Sequence, residues 1–460
     1  MEKEIITKLR KYEDFLTYKG ISLIKRSEYE LTIAAQPKLM LFSVFNFVKQ
    51  FKLLIRSKLY KSPIGNNGKI LFLVYTNSHI NTSTTIIKKI KEKALVVKRD
   101  GFTNNIAKKL KQNNINYNDI EGYLTKESSR SIRRATKSLK SKYKELLKTE
   151  EFDKNKLRYL FLIYFPEMIR YIELINNALS AEKPRLLVVM NEITTLGNIA
   201  VHVAKQKSIK TLCIQHGAIG NDPGSFVPVS ADKVAVWGDS SKRILVNEGT
   251  LKEKIVITGA PQFDNIRKLN VKITEDIARE IGLNISKKYI LFTTQNYPYM
   301  EETVRQVCKA VKSIPDLQFV IKTHPAEYST KNYEKIIKKS DVKGILTKKY
   351  LYPLIKGCSA MITVSSTTGL ETLIIGKPLI TINLSGKPDT MPYAKSRAAI
   401  GVYKSGDILP AIKSVLEDEK VRKKLAKKAK KFIYEQCYKI DGKASDRIID
   451  LINKIVNNGD

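Results

Sequence analysis

Three turns in this 460-residue chain put groups capable of chemistry at the end of an apolar run. The run from Thr211 to Ile214 stops at Gln215-His216-Gly217, so an imidazole sits at its tip. An imidazole accepts a proton from a sugar or glycerol hydroxyl near neutral pH, and the glycine permits a sharp turn or a close substrate approach. Glu192, after the run 186–190, and Asp222, six residues past His216, are further candidate bases. The second turn, Lys322-Thr323-His324-Pro325, offers two donors to a phosphate and a proline that fixes the bend. In the third, the run 360–364 ends at Ser365-Ser366-Thr367-Thr368, and Gly369 to Ile375 reads as the opening of a helix. Hydroxyls and free N–H groups at a helix start form an anion site, and Glu371, one turn in, is placed to accept both hydroxyls of a ribose. A purely structural reading competes, with Ser366 as an N-cap and Glu371 as a first-turn acid. Gln295 and Asn296, after the run 289–294, are candidate contacts to donor sugar or phosphate, with Gln215 and Gly217 across from them. Of the other histidines, His202 reads as a packing residue and His79 as a candidate for an acceptor loop.

These tips need sheets to hold them. Apolar runs at 70–76, 94–98, 186–190, 210–215, 233–237 and 254–259 alternate with amphipathic stretches. A second series follows at 289–295, 319–325, 344–347, 360–366 and 378–383. Continuous apolar strands separated by helices indicate parallel sheets covered on both faces. The fold class is α/β, with two doubly wound domains facing across a cleft, where such sheets bind ligands. The expected division is a helical basic extension over 1–65, an acceptor-side domain over 66–270, a nucleotide-binding domain over 271–440, and a closing helix over 441–460.

Composition narrows the partners. The net charge of +37 favours anionic ones, although lysine is spread along the whole chain. Nucleic acid is not expected, because no aromatic–basic platform or recognition helix is evident. Four widely spaced cysteines without a CxxC, and only four histidines, argue against a zinc centre or a disulfide framework and for a reducing compartment. No metal site and no cofactor are expected. The start carries no secretory pattern, and no apolar run reaches the ~18 residues of a membrane span. The expectation is a cytoplasmic protein, with an anionic membrane surface as a candidate partner. Two segments carry that expectation: Pro37 to Lys61, an apolar decad with a basic flank, and the basic stretch 126–148.

Together these features resemble the GT-B superfamily of nucleotide-sugar enzymes, over roughly 184–385. Within it they look like the branch holding UDP-N-acetylglucosamine 2-epimerases, CDP-glycerol glycerophosphotransferases and capsule-type sialyl- and Kdo-transferases. The rhythm of 184–217, the end of KIVITGAPQFD, and KTHP with VSSTTGLETLIIGKPLI carry the likeness. The resemblance implies that His324, Pro325, Ser365 and Ser366 hold a nucleotide phosphate, that Lys322 and Thr367 assist, and that Glu371 binds ribose. It implies a nucleotide-activated sugar linked to CMP, CDP or UDP, and a glycan or lipid-linked acceptor. Epimerases carry Glu-Ala-Gly-Leu-Arg after their histidine strand and an Arg-x-x-Thr-Glu-Arg-Pro segment later. This chain has Gln215 to Gly220 at the first place and 385–402 without that pattern at the second. The Asp-Tyr-Ser-Ser of CDP-glycerol enzymes is Thr363-Val364-Ser365-Ser366 here. These departures point to a metal-independent glycosyltransferase of surface-glycan type, with an epimerase, a polyol-phosphate transferase and a non-catalytic glycan-binding relative as alternatives.

Overall fold

The computed structural model describes residues 2–24, 70–90, 94–98, 104–149, 151–220, 226–227, 229–324, 327 and 330–457. The extension expected to be helical is mixed where it is described. A helix Glu2–Leu9 is followed by a two-stranded antiparallel ribbon, β1 (Thr17–Tyr18) and β2 (Ile21–Ser22). Their two-residue pairing spans Lys19 and Gly20, both at positive φ, where a tight reversal overrides the helical trend. The Pro37 to Lys61 expectation lies outside the described residues.

The first large sheet is parallel, in the order β5-β4-β3-β6-β7-β8-β9. Its strands are β3 (Ile70–Val74), β4 (Ala94–Lys98), β5 (Tyr117–Asp119), β6 (Leu186–Val189), β7 (Lys210–Ile214), β8 (Lys233–Val236) and β9 (Ile255–Ile257). The second is parallel too, in the order β12-β11-β10-β13-β14-β15. It contains β10 (Tyr289–Thr293), β11 (Gln318–Lys322), β12 (Gly344–Thr347), β13 (Ala360–Thr363), β14 (Leu379–Ile382) and β15 (Ile400–Val402). The central strands are buried along their whole length, as their unbroken apolar runs require. β15 was not anticipated, because Ile400-Gly401-Val402 is too short to separate from the turn-rich segment before it.

Strand order fixes where ligands go. In the first sheet the chain winds from β3 outward to β5, then returns to start again at β6 beside β3. The second sheet repeats this, with β13 returning beside β10. Each return is a topological switch point, where the helices leave opposite faces and open a crevice at the strand ends. The crevices therefore lie at the tips of β3 and β6, and of β10 and β13.

The two units are joined twice. After β9 the chain crosses at Thr258 to Ile266, and it crosses back before the helix Ala444–Asn457. That last helix packs on the first sheet, with Ile448, Leu451 and Ile452 buried among Ile70, Phe72 and Leu186. Each such side chain contributes roughly 1.5–3 kcal/mol on burial. Its N-terminus is capped from the outgoing crossing, since Asp264 accepts from Ala444 N (2.9 Å), Ser445 N (2.9 Å) and Ser445 Oγ (2.5 Å). Arg447 Nε donates to Thr258 O at 2.6 Å, and Gly259, at φ +86°, sits against Ala444. Removing a buried cap that accepts three bonds costs about 1–3 kcal/mol. Asp264→Ala is expected to lower stability by that amount in a urea titration, and an unchanged midpoint refutes the role.

Candidate active site

The second-sheet rim is built on side chains that tie neighbouring tips together. Thr293 Oγ1, at the end of β10, donates to Thr363 Oγ1 at the end of β13 (3.0 Å) and lies 3.1 Å from Thr368 Oγ1. Gln295 Oε1 accepts Ser365 N at 2.8 Å, and Tyr297 OH lies 3.0 Å from Ser365 Oγ. Ser366 caps the helix Thr367–Ile375, its Oγ accepting Thr368 N at 3.2 Å, while Tyr393 OH donates to Ser366 O at 2.8 Å. Gly369 is required by that tyrosine, since a Cβ there would lie 2.9 Å from its ring. The half-buried Ser365, Ser366 and Thr367 thus surround the positive end of a helix.

Glu371, one turn into this helix, accepts from Tyr352 OH at 3.2 Å through Oε1. Its Oε2 is buried without a partner. Burial raises its pKa to about 7, and the Tyr352 hydrogen bond only partly offsets this.

At the neighbouring tip, Glu327 organises the turn after β11. Its carboxylate accepts His324 N at 2.7 Å together with the hydroxyls of Thr294 and Tyr333. Thr294 Oγ1 also accepts His324 N, at 3.1 Å. Thr294 therefore holds the histidine turn while the adjacent Gln295 holds the serine turn. Lys322 is buried, with Nζ 3.1 Å from Thr323 O, and burial lowers its pKa against the pull of Glu327. The His324 ring lies at the surface, and its pKa is lowered by desolvation, with Glu327 opposing. Asn296 is exposed beside these tips. Pro325 lies outside the described residues.

The first-sheet rim is less charged. His216 Nδ1 lies 2.5 Å from Met190 O, at the end of β6. A carbonyl only accepts, so Nδ1 carries the proton and Nε2 keeps its lone pair. The His79 ring meets His216 edge-on at 4.9 Å, Tyr75 meets His79 at 4.4 Å, and Phe226 stacks over His216 at 6.3 Å. His79 is buried with Nδ1 unpartnered. Burial lowers the pKa of both imidazoles, and His216 lowers that of His79 further. Both are therefore neutral at pH 7.

Glu192 lies inward of this pair, accepting Ser230 N at 2.7 Å and Ala231 N at 3.1 Å. It pushes up the pKa of the buried Cys213 thiol, after desolvation. Gln215 is committed to the protein, accepting Trp237 N at 2.8 Å and donating to Gly217 O at 2.8 Å. Gly217 faces open space, so a close approach from the cleft, not the backbone, is what a side chain would obstruct. Asp222 lies outside the described residues. Three contacts bring this rim to the second domain. A Cβ on Gly220 would lie 2.1 Å from Thr390 O, and Ala218 and Trp237 pack into the second domain's core.

Glu327 and Tyr352 were not singled out from sequence. Glu327 had a signal, an acid three residues past a strand-tip histidine, but Tyr352 meets Glu371 only through the fold. No cluster of three or more histidine, cysteine or acidic groups able to hold a metal occurs among the described residues.

Residues 168–453, more than half of the chain, with the second rim and the His216 side of the first, match the family described as UDP-N-acetylglucosamine 2-epimerase. The chain belongs to that family. It is 24% identical over 312 residues to a UDP-N-acetylglucosamine 2-epimerase of Campylobacter jejuni, covering 61% of this chain and 78% of the relative. Its fold is that of an S. aureus MnaA–UDP complex (TM-score 0.58, 18% identity, 85% and 97% of the two chains). A Neisseria meningitidis UDP-GlcNAc 2-epimerase bound to UDP-GlcNAc is similar (TM-score 0.57, 17% identity, 84% and 100%). The glycosyltransferase expectation is thereby corrected. Strand-tip motifs that cradle a nucleotide serve transferases and epimerases alike, so they could not separate the two. The absence of a Glu-Ala-Gly-Leu-Arg run does not take the chain out of the family.

Glu327→Gln leaves donors of the His324 turn short of an acceptor and is expected to cost about 1–3 kcal/mol. Guanidinium unfolding with an unchanged slope and a lowered midpoint checks it.

Proposed function

We propose that the chain is a UDP-N-acetylhexosamine 2-epimerase. The observation that carries this is the family match spanning the second rim and His216 of the first. In this reading the second rim holds UDP: the diphosphate lies at the start of the helix Thr367–Ile375, with Ser365, Ser366, His324 and Lys322 around it, and the ribose reaches Glu371. The unpartnered Glu371 Oε2 supports the last point, because ribose hydroxyls supply the donors it lacks.

The sugar then extends toward the first rim. Its C2–H is not acidic, so inversion there is easiest if the proton leaves as the C1–O bond breaks. The C–H electron pair becomes a C1=C2 double bond and UDP departs with the C1–O pair. Helix-end N–H groups and cationic side chains stabilise the charge on the departing diphosphate. Re-addition of UDP with a proton delivered to the other face of C2 completes the exchange. His216, neutral with Nε2 unprotonated, is the proposed proton acceptor, and His79 positions its ring.

With UDP-N-acetylglucosamine in D2O, the wild type is expected to form the C2 epimer carrying deuterium at C2, read by NMR. His216→Ala should lower kcat about a hundredfold or more while keeping the UDP-induced rise in melting temperature. Wild-type enzyme that gives neither exchange nor epimer overturns the reading.

Glu371 sets a pH dependence. Its ordinary pKa of 4.5 is raised to about 7 in the unliganded fold, and ribose hydroxyls favour its ionised form. UDP affinity should therefore weaken as pH falls below 7, by at most about tenfold per pH unit. Calorimetry should show proton release on binding, and Glu371→Gln should flatten the profile.

A further inference from the structure

The helix Lys126–Leu146 takes no part in either rim. It is a third layer, packed on the helix Phe165–Glu182 in the opposite direction. Asn177 near the end of the latter donates to Tyr123 O at 2.9 Å, and Tyr143 meets Phe161 just before its start (6.5 Å). Ser128, Leu139 and Leu146 are buried and fix the roll of the helix. At 3.6 residues per turn, that roll sends Arg130, Arg133, Arg134, Lys137, Lys140 and Lys144 into one outward arc of about 120°. All six are exposed. Lys142, on the inner flank, is neutralised by Glu145 at 2.6 Å and covers Tyr12 at 4.6 Å. Among the described residues no acid lies within ion-pair reach of the six outward cations.

A lysine-rich composition alone does not produce this. Three of the six are arginines within five positions, and the planar guanidinium is the side chain suited to phosphate oxygens. We propose that this ridge docks the protein on an anionic phospholipid surface. From Arg130 to Lys144 the helix presents a cationic line roughly 20 Å long, without a groove or an aromatic among those cations. A plane of headgroup phosphates fits such a line, whereas single-stranded nucleic acid would call for stacking platforms.

The test uses the full chain and no nucleotide sugar, so its outcome is separate from that of the epimerase assay. The protein is sedimented with vesicles of phosphatidylcholine alone and of phosphatidylcholine with phosphatidylglycerol in equal parts. Binding is expected only to the second, weakening with added salt. The variant R130Q/R133Q/R134Q/K137Q should bind more than about tenfold less tightly, at an unchanged melting temperature. If that variant does not fold, K137E and K140E are read singly, each with a smaller loss. No binding to the anionic vesicles, or equal binding by wild type and variant, overturns the proposal. So does retention of the wild type on duplex DNA at a salt concentration that releases it from the vesicles.

Discussion

The geometry of the molecule hangs on one carboxylate. Asp264, on the first crossing between the domains, accepts two backbone N–H groups and a hydroxyl from the start of the last helix, on the second crossing. A helix start leaves N–H groups without partners, and a buried one needs an acceptor from elsewhere. Here the acceptor comes from the other of the two crossings. Arg447 to Thr258 O and Lys89 to Asp446, at 3.0 Å, extend the clasp toward the first sheet. With both crossings bound to each other, the two sheets present their switch points to a shared cleft.

The two rims contribute different physics. The second offers hydroxyls, helix-end N–H groups and cations, the ingredients for a diphosphate. The first offers two neutral imidazoles, a stacked phenylalanine and an open glycine, in surroundings that resist charge. A group kept neutral by burial is poised to take a proton, whereas a cationic imidazole would instead compete for the phosphates. Two of the carboxylates that sit nearby hold turns. Glu192 holds the turn at Ser230 and Ala231, and Glu327 holds the turn at His324.

Much of this is legible in the sequence itself. Unbroken apolar runs announced parallel sheets, and polar residues at the ends of those runs announced the rims, because a strand leaves its last side chains at the mouth of the crevice. Gln215 looked like a ligand contact by the same logic. Its amide instead locks β7 to the single tryptophan, Trp237, a cross-strand partnership that no linear pattern encodes. The His79–His216 pair was equally hidden, since it needs β3 and β7 to flank β6. The transferase reading failed for a chemical reason. Both reaction classes begin by stabilising the same departing nucleotide, so the motifs that do this are silent about what happens to the sugar.

The return of the last helix to the first sheet has a consequence for biosynthesis. Ile448, Leu451 and Ile452 complete a core whose earliest strand begins at Ile70. Translation delivers that strand first and its final packing partner last, with the whole second domain made in between. The domain begun first is therefore finished only after the second domain has been made. Until then its growing edge waits with an uncovered apolar face, the kind of surface on which chaperones act.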